Sequence, residues 1–197
     1  MTDPIAFILA CVAVLFVPGP TNTLLATSGA ACGMRRSLHL PAAELIGYTI
    51  AIWALALLVA PIVHASPLVS KALRLACAAY LIWSAIHLWR EGANALTSGE
   101  PVSFQSVLVA TLLNPKGLLF ALVIIPHLSQ RDIPAALPYL AVHALITLAA
   151  SISWIGFGAL IRAGARTRLD AGLIRRAGAS ALGLFGLILS SSALQPG

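Results

Sequence analysis

The sequence predicts an all-α polytopic membrane protein, with about six transmembrane helices built as two inverted three-helix repeats in which the first and fourth helices are broken. Three observations predict this. The chain of 197 residues is 59% hydrophobic and only 9% charged, with a mean hydropathy of +0.95, a balance foreign to soluble globular domains of this size. Helix-breaking clusters interrupt two of its apolar runs at similar depth, and its Lys and Arg residues gather in alternate connections.

Apolar runs bounded by charge, Gly and Pro place the spans at about 4–30, 40–63, 69–89, 103–128, 134–161 and 174–194. The connections between them are short, so a single transmembrane domain over 1–197 is expected, with repeat halves of about 1–97 and 98–197. No length remains for a soluble catalytic domain. The first span carries Val17-Pro18-Gly19-Pro20-Thr21-Asn22 near its centre, where two prolines remove backbone donors and disfavour helical geometry before each ring. The fourth carries Asn114-Pro115-Lys116-Gly117 at a matching depth. Freed backbone groups at membrane depth must be satisfied by protein or by a water-filled cavity, so both breaks are expected to face the bundle interior. Each broken helix opens a block of three spans, and an odd number forces the two blocks to enter the membrane from opposite sides. Simple proline kinks are the alternative.

Orientation follows from the basic residues. The first, third and fifth connections and their flanks carry eight (Arg35, Arg36, Arg90, Arg162, Arg166, Arg168, Arg175 and Arg176), against three in the second and fourth (Lys71, Arg74 and Arg131). The positive-inside rule then puts the odd connections in the cytoplasm and both termini outside, in a cell (inner) membrane. The start of the chain has no positive region and includes Asp3, so the first segment is read as retained and not as a cleaved signal. The net charge of +6 sits at span ends, where orientation signals belong, and does not point to nucleic acid.

Lys116 is the only Lys or Arg well inside a span and Glu44 the only carboxylate within an apolar run. Ionisable groups there are expensive, so each is a candidate for function. Lys116 would anchor an anionic group or join an ion relay; a counter-charge for a carboxylate, or a residue snorkelling to the interface, is the alternative. Asn114 can bind a polar ligand or cap a half-helix. Glu44, about one turn inside the second span, would carry a proton or meet a cation unless it simply faces water. Together these groups suit a zwitterion: Lys116 or a half-helix N-terminus for a carboxylate, and freed carbonyls with Glu44 for an ammonium group. Cys11, Cys32 and Cys77 are unclustered and read as apolar filler. His39, His64, His87, His127 and His143 are read as scattered near span ends without ligand spacing, and no catalytic or phosphate-cradling motif is present. No enzyme activity, cofactor or metal site is therefore expected. The deeper Tyr and Trp residues are read as packing, the others as an interfacial belt. Gly29-Ala30-Ala31-Cys32-Gly33 has the small-residue spacing of close helix packing, which leaves a homo-oligomer open.

Pro18-Gly19-Pro20-Thr21-Asn22, Ala78-Ala79-Tyr80-Leu81-Ile82-Trp83 and Asn114-Pro115-Lys116 together resemble the lysine exporter (LysE/RhtB) family of amino-acid efflux transporters, over nearly the whole chain. The resemblance implies secondary-active export of an amino acid or related small metabolite, driven by a coupling ion, proton or sodium. It also implies functional weight on Pro18, Gly19, Pro20, Asn22, Asn114, Pro115 and Lys116. Ser37, Ala43 and Cys77 stand where the family tends to carry Gly, while Pro41 and Glu44 set the second span apart. Inorganic cation efflux and a non-transporting membrane scaffold are the competing readings.

Overall fold

In the computed structural model, the described residues are 4–58, 65–90, 102–114, 116–121 and 132–163, together with six helical positions: 180, 183, 184, 187, 190 and 191. All regular structure among them is helical: α1 (Pro4–Phe16), α2 (Pro20–Cys32), α3 (Met34–Ser37), α4 (Leu40–Leu58), α5 (Pro67–Arg90), α6 (Phe104–Leu112), α7 (Lys116–Leu119) and α8 (Ile133–Arg162). The expected sixth span, 174–194, lies mostly outside the described residues, as do Pro115 and the end of the fourth span beyond Ala121.

Each boundary has a local cause. α1 and α2 form one apolar stretch bent by 59° at the Pro18-Gly19 break, and Pro20 opens α2 at a position where a missing N–H costs nothing. Gly33, at φ +81, ends α2 in a left-handed conformation that side chains resist, with its N–H on the Gly29 carbonyl at 2.9 Å. Ser103 caps α6 by accepting from the Ser106 N–H at 3.0 Å, and Asp132 caps α8 by accepting from the Ala135 N–H at 3.2 Å. The stretches Met34–Leu58 and Pro134–Arg162 are long and apolar enough to cross a bilayer, and the bent α1–α2 pair passes the same test when its two halves are taken together. α5, though 24 residues long, is less apolar than these.

The bundle is apolar outside and, beside its apolar core, encloses a set of polar and charged side chains. Leu9, Leu58, Leu68, Leu145 and Trp83 are exposed, whereas Asn22, Glu44, Asn114, Lys116, His143 and Ser151 are buried. Such an inversion suits lipid as the outer solvent. α8 packs against α1, α2 and α4, and α4 against α6 and α7. One apolar cluster joins Phe7, Val14, Ile52, Phe120 and Ala150, and a second joins Leu25, Leu40, Val107 and Ile155. Cys11 and Cys77 belong to the first cluster and, like Cys32, are free thiols.

α2 crosses α8 backbone to backbone. A Cβ added at Gly158 would lie 1.9 Å from the Ala26 carbonyl oxygen, and one at Gly29 would lie 2.0 Å from that of Ile155. Only glycine permits this approach, so the small-residue run of α2 serves packing within the chain. Beyond the crossing, Arg162 donates to the Ala31 carbonyl at 2.9 Å, which brings the C-terminal ends of α2 and α8 together. The C-terminal ends of α2 and α8 therefore lie on the same side of the bundle.

Candidate functional site at the junction of two broken helices

The break after α1 strands carbonyls that a continuous helix would have used. Leu15 and Val17 would accept from the N–H groups of residues 19 and 21, but Gly19 is extended at φ −155, ψ 180. The buried Asn22 replaces those donors: its side-chain amide donates to the Leu15 carbonyl at 2.7 Å and to the Val17 carbonyl at 2.6 Å. One amide has two hydrogens, so the pair is satisfied by a single residue one turn further along the chain.

The second break is capped in a complementary way. Asn114 accepts from the Lys116 N–H through its side-chain oxygen at 3.1 Å, and its carbonyl accepts from the Gly117 N–H at 2.9 Å. Its side-chain nitrogen donates to Thr21 Oγ1 at 3.3 Å and to the Tyr48 hydroxyl at 3.4 Å. Thr111 gives its only hydroxyl hydrogen to the Val107 carbonyl at 2.8 Å, so in the 3.2 Å contact between Thr21 and Thr111 the donor is Thr21. Hydrogen bonds thus run in one direction, from Asn114 through Thr21 and Thr111 to the backbone of α6. The breaks of two helices more than ninety residues apart in sequence are joined by side chains.

Lys116 completes the junction. Its ammonium donates to the Val17 carbonyl at 2.8 Å, placing positive charge against the C-terminal, negative end of the α1 dipole. It neither snorkels nor forms an ion pair with Glu44, although the two are close enough to interact electrostatically. An ammonium has three hydrogens, and among the described residues one is engaged. Gly19 lies beneath it: an added Cβ there would come within 3.2 Å of Nζ. Of the other residues expected at the site, Pro18 is half-buried in the break, Pro20 is exposed at the start of α2, and Pro115 is outside the described residues.

Glu44 lies one turn before Tyr48 on the same face of α4. It is 2% exposed, which removes the reading in which it simply faces water; the apolar run around it is enclosed by α8 and not by an interface. Its partner is the Ser151 hydroxyl. Ser151 is also 2.7 Å from the Thr147 carbonyl, and the Thr147 hydroxyl donates to the His143 carbonyl at 2.8 Å. His143, Thr147 and Ser151 recur every four residues and so make one polar stripe on α8, facing Glu44 and Tyr48 on α4.

His143 corrects the expectation that the histidines lie near span ends. It is 3% exposed, packed edge-on against Phe120 and Tyr48 at ring separations of 4.4 and 5.7 Å, and its Nε2 has no hydrogen-bond partner. Sequence reading also missed Thr21, Tyr48, Thr111 and Ser151. The signal was available for Ser151 and His143, as a period-four polar stripe in an apolar helix. It was not available for Tyr48, whose role depends on which helix lies opposite. Among the described residues no three His, Cys, Asp or Glu side chains converge as a metal site would require.

The family model of the LysE type translocator matches residues 12–193, a stretch that contains both breaks, Glu44 and the α8 stripe. No curated protein and no solved structure matches the chain.

Proposed function

The chain belongs to the LysE type translocator family, and on that premise we propose that it is a secondary-active exporter of an amino acid or similar small zwitterion, coupled to an ion gradient. The observation that carries this reading is Lys116: a buried ammonium at the junction of two broken helices, held by one carbonyl and with hydrogens to spare for a carboxylate. Glu44, one turn before Tyr48 on α4, is the acidic counterpart for the ammonium end. Neither an inorganic cation exporter nor a scaffold has use for a buried lysine so placed.

We place the junction near the midplane of a six-span, inverted-repeat bundle in a cell membrane, with the arginine-rich odd connections in the cytoplasm. The shared side of the α2 and α8 ends, tied by Arg162 and Ala31, supports that alternation. Export is then alternation of access around the joined breaks.

Cells expressing the protein and preloaded with dipeptides test the reading by the profile of amino acids they release. Selective release of one or a few amino acids is expected, falling about a hundredfold with Lys116→Met, the loss of a charged contact worth roughly 3 kcal/mol. Release of no amino acid by verified, membrane-inserted protein would overturn it.

A further inference from the structure

We propose that Glu44 is the proton-binding group of the transport cycle and that Ser151 transmits its protonation to α8, by switching its single hydroxyl hydrogen between the Thr147 carbonyl and the Glu44 carboxylate. The inference rests on the export reading and assigns its coupling site.

The observation is a count of hydrogens. Ser151 Oγ lies within hydrogen-bonding distance of two groups, Glu44 Oε2 and the Thr147 carbonyl oxygen, and both accept when Glu44 is ionised. A hydroxyl has one hydrogen. Both contacts are filled at once in one arrangement: Glu44 carries a proton and donates it to Ser151 Oγ, while Ser151 donates to Thr147. When the proton leaves the carboxyl for the aqueous side then open, the Ser151 hydrogen turns to the carboxylate and the Thr147 carbonyl loses its side-chain donor. No other bond is made or broken. Thr147 and Ser151 are both fully buried, at 0% exposed, so water does not supply the missing hydrogen in the conformation described.

The switch is placed to matter. Serine and threonine hydroxyls bonded to the carbonyl four residues back bend membrane helices, and α8 carries two in succession, Thr147 to His143 and Ser151 to Thr147. One turn beyond Ser151 is Ile155, whose carbonyl is pressed against Gly29 at the α2–α8 crossing. A change of bend at Thr147 is therefore delivered to a contact with no slack. The titratable groups around Glu44 are Tyr48 on its own helix, His143 on α8 and Lys116 on α7, with Tyr80 of α5 beyond Tyr48. α6 brings none, and α2 only Cys32 at its far end. The nearby Lys116 ammonium opposes a bare metal cation at this site but not neutralisation of the carboxyl, and a zwitterion brings its own carboxylate to Lys116, so its ammonium end can reach Glu44. A substrate ammonium and a proton would be alternative occupants of the one carboxylate, which makes their exchange obligatory.

Infrared spectroscopy of the protein in lipid bilayers, followed through a pH titration, reads the site without any substrate. The expected result is a protonated-carboxyl stretch that is absent in Glu44→Gln, displaced in Ser151→Ala, and close to wild type in Ser151→Thr, which keeps the hydroxyl. Persistence of the band in Glu44→Gln, or an undisplaced band in Ser151→Ala, would overturn the proposal. Proteoliposomes loaded with the amino acids that cells release give the second readout. Ser151→Ala should lose about fivefold or more of proton-gradient-driven flux while keeping gradient-free exchange within about twofold, the signature of lost coupling, and Ser151→Thr should restore it. Flux driven by sodium alone, or equal in wild type and Ser151→Ala, would also overturn it. A correctly assigned band in a protein that moves no amino acid would sink the export reading and leave the proton site standing.

Discussion

The α2–α8 crossing and the junction of the broken helices lie in one bundle, share α2, and are held by opposite means. At the crossing, two intact helices touch through their backbones because Gly29 and Gly158 put nothing between them. At the junction, two interrupted helices leave carbonyls and amides open, and Asn22, Asn114, Thr21 and Lys116 fill them with side-chain donors and acceptors. The first contact tolerates no added atom. The second tolerates no missing hydrogen. On the export reading proposed above, the crossing is the fixed contact and the junction the polar seam whose bonds a ligand would replace.

The largest effect should come from adding one methyl at the crossing. Gly158→Ala puts a Cβ within 1.9 Å of the Ala26 carbonyl, which neither backbone can yield without parting the helices. A loss of about 3 kcal/mol or more is expected, beyond the usual cost of overpacking. Gly156→Ala is the control, since nothing lies within 4 Å of a Cβ there, and it should be neutral or stabilising by up to about 1 kcal/mol. Thermal midpoints in detergent check the pair. Equal midpoints would show that the crossing is not the rigid contact described.

Next is the removal of donors at the junction. Asn22→Leu keeps the branched shape and takes away both amide hydrogens, leaving the Leu15 carbonyl without the donor seen here and Val17 with Lys116 alone. The expected cost is about 2 kcal/mol, the usual penalty of one orphaned buried acceptor. Amino-acid efflux should fall further than the midpoint does, because Lys116 is then drawn more tightly to Val17. A midpoint unchanged by Asn22→Leu would mean that another group caps the break.

What the sequence made visible is what its local chemistry decides. Pro18 and Gly19 break a helix wherever they are placed, and Asn114 caps the next one, so the interruptions were legible. Lys116 and Glu44 also stood out by their isolation among apolar residues, but the sequence left open whether either reached water, which their burial decides. That the two breaks meet was not legible, because it depends on the packing of α2 and α4 against the α6–α7 pair, and no residue pattern within one helix encodes its neighbour. Tyr48 shows the difference: it reads as ring packing, yet its hydroxyl accepts from Asn114 on another helix. His143 shows the cost of reading histidines by ligand spacing alone, since its period-four relation to Thr147 and Ser151 marked an inward stripe.

The smallest effect separates space from conformation at the first break. Gly19 has an extended backbone that any residue adopts, so its glycine is required only for what stands above it. An alanine Cβ would lie 3.2 Å from Lys116 Nζ and 3.4 Å from Cε, close enough to displace the end of a flexible side chain by a few tenths of an ångström but not the fold. Gly19→Ala should therefore change the thermal midpoint by less than that of Asn22→Leu, a stability effect within about 0.5 kcal/mol. Its effect belongs on the ligand side: a shifted ammonium presents its spare hydrogens differently, and the substrate concentration for half-maximal efflux should rise severalfold with little change in maximal rate. Gly19→Ala in a Lys116→Met background should then have no additional effect on efflux, because the side chain it displaces is gone. An added loss in that double variant would show that Gly19 acts on the break itself and not through the lysine.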